Sequence, residues 1–184
     1  MKTSKRSVSS SLISVFCIAG IGIYCFLNIG QWRKSNTIAV DAVSYYAYLP
    51  AVFIYHDLTL HFLDKPDCPK DVVMWPLTAP NGKRVIKTSM GMAFFYAPLF
   101  FLAHLLAPLF NYPATGYSPI YHLCVGYSSV LYLFLGLLYL RKILLRYFSE
   151  LITLLTMVVL TIGTNMLFYF TVDALSAHMI GFFL

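Results

Sequence analysis

The sequence predicts an all-α fold, a polytopic bundle of transmembrane helices with an outer-face loop that contains juxtamembrane helices. Three observations predict it. Apolar residues make up 59% of the 184 positions and charged ones 11%, against about 25% charged residues in soluble domains. Mean hydropathy is +0.74, well on the apolar side. Two uncharged stretches, residues 7–32 and 88–140, are longer than a soluble core helix requires and long enough to cross about 30 Å of hydrocarbon.

The first span is expected over residues 12–30. Lys2, Lys5 and Arg6 precede it and Gln31-Trp32-Arg33-Lys34 closes it. A signal peptide shares the basic start, but its apolar core is usually 7–15 residues and ends in a small-x-small cleavage site. This run is longer and has no such site, so it predicts an uncleaved span with the N-terminus in the cytoplasm. Residues 31–92 then form the outer loop. Its seven Lys and Arg do not conflict with the positive-inside rule, because loops longer than about 60 residues translocate largely regardless of charge. Residues 64–70 are turn-rich. Residues 40–55 are aromatic and apolar between two aspartates, a pattern suited to a helix lying at the membrane surface.

Three further apolar segments cover 93–110, 120–140 and 151–170. If all three crossed, the basic connector Arg141-Lys142-Ile143-Leu144-Leu145-Arg146 would lie outside, against the rule for short loops. The segment 93–110 also carries Pro98, His104 and Pro108, and proline interrupts the helical hydrogen-bond ladder. A re-entrant or juxtamembrane helix is therefore favoured there over a full span, which makes the basic connector cytoplasmic. Residues 174–184 form an apolar run without a closing charge or cap. They are expected to begin a further span, so the chain is expected to be the N-terminal part of a longer membrane protein, truncated in its last span.

The net charge of +6 needs no nucleic-acid partner, because the basic residues sit beside spans and in one polar loop without forming a basic face. Cys17, Cys25 and Cys124 fall in apolar segments and leave Cys68 alone in the loop, a free thiol rather than half of a disulfide. His56 and His61 are spaced i, i+5, which matches no helical metal-ligand pair. No metal ligand set is assigned. His104 and His122 are expected to be hydrogen-bonded within the bundle.

Two lone carboxylates draw attention. Asp41 opens Asp-Ala-Val-Ser-Tyr-Tyr-Ala-Tyr-Leu-Pro, and Asp173 opens Asp-Ala-Leu-Ser-Ala-His. Each is expected to begin a helix at the outer membrane surface. Asp is a preferred N-cap, worth about 0.5–2 kcal/mol, and capping alone would account for Asp41. It accounts less well for Asp173, since an ionisable group within an apolar run costs about 2.5–3.5 kcal/mol on insertion scales and faces a cavity or a partner.

At this point the chain resembles a family. The resemblance rests on the order of one span, the Asp41 and Tyr-rich helix, Lys87-Thr88-Ser89-Met90-Gly91-Met92 leading into a proline-containing helix, a basic turn, and then Gly163-Thr164-Asn165 before an acidic residue. This pattern is similar to the N-terminal part of integral-membrane glycosyltransferases of the GT-C class. These use polyprenyl-phosphate-linked sugars and include protein O-mannosyltransferases and aminoarabinose transferases. The resemblance covers about residues 12–184. It implies a multi-pass protein of the bacterial inner membrane that transfers a sugar from a lipid-linked donor to an acceptor at the outer face, with inversion at the anomeric carbon. It implies that Asp41 acts as base or metal ligand and that Asp173 is the second acidic residue. His178 enters as a substrate-binding candidate through the same signature. The sequence reads Val172-Asp173-Ala174 where the family pattern has Glu-Pro.

The chemistry fits that depth in the membrane. A carboxylate can take the proton of the attacking hydroxyl, and the leaving phosphate needs cationic donors. Arg84 and Lys87 are candidates, with interfacial anchoring as the competing role. Tyr45, Tyr46 and Tyr48 can stack on a sugar or form an interfacial aromatic belt. The acceptor, the sugar and any divalent cation are left open. The alternative is a non-enzymatic multi-span protein, such as a transporter or an envelope-assembly subunit, in which both aspartates are structural.

Overall fold

The computed structural model describes residues 9–184, so Lys2, Lys5 and Arg6 lie outside the described residues. Helix dominates. α1 (Ser10–Ile29) begins where the Ser9 side chain accepts the Leu12 N–H, and it ends at Gly30, whose φ of 66° suits glycine and whose N–H returns to the Phe26 carbonyl. A 3-10 turn, Gln31–Lys34, follows. The expected surface helix is two short helices, α2 (Asp41–Tyr46) and α3 (Tyr48–Phe53). Their buried residues, Val43, Tyr46 and Leu49 among them, belong to the main core, so they pack on protein rather than lying on a surface. A two-stranded hairpin pairs β1 (Leu77–Thr78) with β2 (Arg84–Val85).

α4 (Gly91–Leu109) is one continuous helix of 19 residues with Pro98 inside it. The break expected at Pro98 does not occur, although the ring removes one donor from the ladder. α5 (Pro119–Leu144) starts with proline at its first turn, where the missing N–H costs nothing, and places Arg141 and Lys142 in its last turn, where the helix dipole favours cations. α6 (Glu150–Ile162) is capped by Ser149, whose side chain accepts the Ile152 N–H. It has 13 residues and is about 20 Å long. The continuous span expected over 151–170 is thus interrupted at 163–165, and α7 (Met166–Thr171) is a separate short helix. The expected span opening at residue 174 is replaced by turns and then α8 (His178–Phe183).

Among the described residues three segments are long and apolar enough to cross a membrane: Ser10–Lys34, Gly91–Leu109 and Pro119–Leu144, with hydropathies of 2.2, 1.8 and 1.9. α5 is the most enclosed of them and forms the centre of the packing. α1 runs antiparallel along it. At one end Arg141 donates to Ser11 Oγ (2.7 Å) and Ser9 Oγ (2.6 Å), and Phe16 meets Phe134 further along. At the other end the Ile38 N–H donates to His122 Nδ1 (3.0 Å). Glu150 accepts from the Ser11 N–H (2.8 Å) and from the Ser9 and Ser11 hydroxyls, which bring its carboxyl down to about 2. The start of α1, the end of α5 and the start of α6 therefore share one end of the bundle. The end of α4 lies beside the start of α5, where His104 Nδ1 meets the Tyr121 hydroxyl at 2.6 Å.

Glycines permit the close approach. A Cβ on Gly126 would lie 2.9 Å from Phe26 Cε2, and one on Gly22 would lie 3.1 Å from the Phe170 ring. Phe26 is buried and also packs against Tyr127, so it has little room to withdraw. Gly126→Ala is expected to destabilise the fold by about 1–3 kcal/mol, the usual effect of overpacking. Thermal denaturation in detergent should show a lowered midpoint, and adding Phe26→Leu should restore part of it. An unchanged midpoint would mean that the ring does not rest on the glycine.

Candidate functional site

Asp41 and Asp173 come from distant parts of the chain and line the same cleft, of about 200 Å³, together with Tyr45, Ser176 and His178. On one side α2 supplies Asp41 and Tyr45. It is aimed by a tight turn in which the Ala42 N–H returns to the Ala39 carbonyl at 3.1 Å. Val40 in that turn has φ 50° and ψ −129°, the dihedrals of the first central residue of a type II′ turn, a position that glycine normally fills. A β-branched residue there is strained by about 1–3 kcal/mol. On the other side, α7 hands the chain to a bend at Asp173, closed by the Ser176 N–H on the Asp173 carbonyl at 3.2 Å. Phe170 fixes this arm, with its carbonyl accepting from Ser129 Oγ at 3.2 Å.

Neither aspartate is a side-chain cap. Asp41 is the first residue of α2, and its carboxylate pairs with the Lys87 ammonium at 3.6 Å. Asp173 does not open a helix, because residues 172–177 are turns and bends and α8 begins only at His178. The same turns decide where His178 lies. On an ideal helix it would face away from Asp173, but the irregular backbone returns it to the cleft, where its ring lies 3.8 Å from that of Tyr169. Burial pushes the Asp173 carboxyl above the ordinary aspartate range, His178 opposes that shift and Asp41 adds to it.

The other predicted residues separate. Tyr45 is half-buried at the cleft. Tyr46 is fully buried, donates its hydroxyl to the Gly116 carbonyl and packs edge-on against Tyr117 and Phe100. It holds α2 to the bundle and is closed to a sugar. Tyr48 donates to the Thr88 carbonyl. Arg84 pairs with Asp64 at 2.8 Å and donates to the Leu60 carbonyl at 3.2 Å, in a different hollow from the two aspartates. Lys87 is the cation beside Asp41.

Two residues of the cleft escape sequence reasoning. Ser176 has a buried hydroxyl with no hydrogen-bond partner among the described residues. Its signal was its place between Asp173 and His178. The strain at Val40 has no signal in residue type. The Gly163-Thr164-Asn165 motif lines a neighbouring hollow of about 560 Å³, which shares His178 with the carboxylate cleft. Among the described residues no three His, Cys, Asp or Glu side chains gather as a metal site, and Asp41 is already held by Lys87. Comparison with family models, curated proteins and solved structures yields no match.

Val40 is exposed, so glycine there would remove strain with little loss of burial. Val40→Gly is expected to raise stability by about 1 kcal/mol after the extra chain entropy of glycine is counted. Chemical denaturation would show a higher midpoint. A lower midpoint would show that Val40 is not in the strained turn.

Proposed function

We propose that this protein is a membrane glycosyltransferase that takes its sugar from a polyprenyl-phosphate-linked donor. The single observation that carries the reading is the convergence of Asp41 and Asp173 on one cleft with a lysine, a tyrosine, an unpartnered serine hydroxyl and a histidine. Asp173, made a stronger base than an ordinary aspartate by its burial, takes the proton of the acceptor hydroxyl as that oxygen attacks the anomeric carbon. The bond to the donor phosphate breaks on the opposite face, so the sugar is inverted. Asp41 holds Lys87 in place, and the ammonium offsets the charge that develops on the leaving phosphate. Ser176 supplies a hydrogen bond to a sugar hydroxyl, and Tyr45 covers a ring face. The larger hollow beyond His178 is open enough for the rest of the donor.

The reading includes a topology. α1 and α5 cross in opposite directions, and the α5–α6 turn, with Arg141, Lys142 and Arg146, faces the cytoplasm beside the start of α1. α4 is taken as a re-entrant helix whose end lies beside the start of α5. An impermeant thiol reagent should label Cys68 in intact cells and fail to label Ser149→Cys. Labelling of both positions would place α4 across the membrane and undo this arrangement.

In the full-length protein, Asp173→Asn, which removes the proton acceptor, is expected to lower sugar transfer by about 10²–10⁴-fold, and Asp41→Asn, which frees Lys87, is expected to lower it less. The Asp41–Lys87 pair is exposed, and such pairs contribute about 0–1 kcal/mol, so stability should barely move. Near-normal transfer in both variants would make the aspartates structural and the reading wrong.

The pH profile offers a separate check. A base with a raised pKa loses its proton-accepting form earlier as pH falls, so the acid limb should lie above the ordinary aspartate value of about 3.9. His178 favours the ionised carboxylate, and His178→Gln should move the acid limb to higher pH. A shift toward lower pH would contradict the assignment of Asp173 as base.

A further inference from the structure

The polar segment between α3 and α4 carries a second hollow, of about 530 Å³, independent of the carboxylate cleft. The tip of the β1–β2 hairpin gives it Asn81, Lys83 and Arg84, and the turn after α3 gives it Thr59, His61 and Asp64. The segment is folded on its own small core of Ala51, Leu60 and Phe62, with Tyr55 stacked on Phe62 at 4.0 Å. Asp57 ties the turn together by accepting from the N–H groups of Thr59 (2.8 Å) and Phe62 (3.1 Å). His56 and Leu60, on either side, hold φ of 51° and 61°, conformations that persist only where surrounding structure enforces them. The wall carrying His61 is therefore fixed in place.

Its charges do not cancel. Arg84 and Asp64 neutralise each other at 2.8 Å, and Arg84 is further held by the Leu60 carbonyl at 3.2 Å. Lys83 forms no ion pair among the described residues. His61 shares a hydrogen bond with Thr59 through Nδ1 at 2.9 Å, which leaves Nε2 for another partner. One fixed donor–acceptor pair, a free ammonium, an amide and an imidazole thus line a hollow within the usual size range of small-ligand sites. Leu58 and Val85 are exposed beside them and give an apolar surface of the kind that a sugar ring covers.

We propose that this hollow binds a saccharide carrying one phosphate or carboxylate. Lys83 holds the anionic group, and His61, Asn81 and the Arg84–Asp64 pair read the hydroxyls. The site does not depend on the glycosyltransferase reading.

Calorimetric titration of the protein in phosphatidylcholine nanodiscs tests it, with glucose 6-phosphate, glucose and inorganic phosphate as probes. Glucose 6-phosphate is expected to bind at least about ten-fold more tightly than either of the others, as one well-placed charged contact implies. Lys83→Gln, at an exposed position, should remove that preference, His61→Gln should weaken it, and Asp41→Asn should leave it unchanged. Equal binding of glucose and glucose 6-phosphate, or full binding by Lys83→Gln, overturns the proposal. Loss of binding in Asp41→Asn would move the anion to the carboxylate cleft and overturn it as well. Displacement of glucose 6-phosphate by phosphatidylglycerol vesicles would make the ligand a lipid headgroup rather than a free saccharide.

Discussion

Two phenylalanine rings seated on two glycines set the geometry on which the rest depends. Phe26 rests on Gly126 and brings α1 against α5; Phe170 rests on Gly22 and brings α7 against α1. Between helices that face lipid there is no hydrophobic driving force of the aqueous kind, so association relies on close packing and interhelical hydrogen bonds. Small residues at the crossing points supply the first. The second comes from Ser129, which binds the Phe170 carbonyl, and from Ile38, whose N–H reaches His122. The first contact delivers the chain to Asp41 and the second delivers it to Asp173. Both carboxylates are brought to the cleft by the backbone that carries them, and Asp41 is also paired with Lys87.

The electrostatics of the cleft follow from unequal surroundings. Asp41 stands in solvent beside a lysine, while Asp173 is half-buried with a histidine on one side and a carboxylate on the other. Two like groups in different environments acquire different proton affinities, a recurrent way to separate roles between carboxylates. Ser176 adds a hydroxyl that is unpaired among the described residues, and Val40 stores backbone strain one residue from Asp41. Unsatisfied polar atoms and strain persist where the fold over-determines them, and they tend to concentrate at sites of function.

Much of the helical content was legible because apolar length is a strong signal: the ends of α1, α4 and α5 lie within four residues of those of the expected segments. The interruptions were not legible. Proline at 98 predicted a break that packing overrides, whereas Gly163-Thr164-Asn165, with no proline, ends a helix in the middle of an apolar run. Hydropathy reports burial in lipid or protein and cannot report a turn whose backbone groups find partners locally, as Thr164 does with the Leu160 carbonyl. At the site, residue chemistry singled out both aspartates and Lys87, and the family resemblance added His178. It overvalued Tyr46 and Arg84, because the sequence does not show which polar tip already has a partner. Tyr46 spends its hydroxyl on Gly116 and Arg84 its guanidinium on Asp64 and Leu60.

The clamp of Ser9, Ser11, Arg141 and Glu150 also sets a clock. Ser11 and Glu150 are 139 residues apart in sequence. At a synthesis rate of about 5–20 residues per second, the start of α1 waits roughly 7–30 s for the residues that will bind it. During that interval its backbone donors and serine hydroxyls stay hydrated at the edge of the bilayer, and α1 has no α5 to lean on. The helix must therefore be stable in the membrane by itself, which its length and apolarity allow. The α5–α6 hairpin, arriving later, locks a helix already in place, so insertion comes first and assembly follows from the ribosome's timetable.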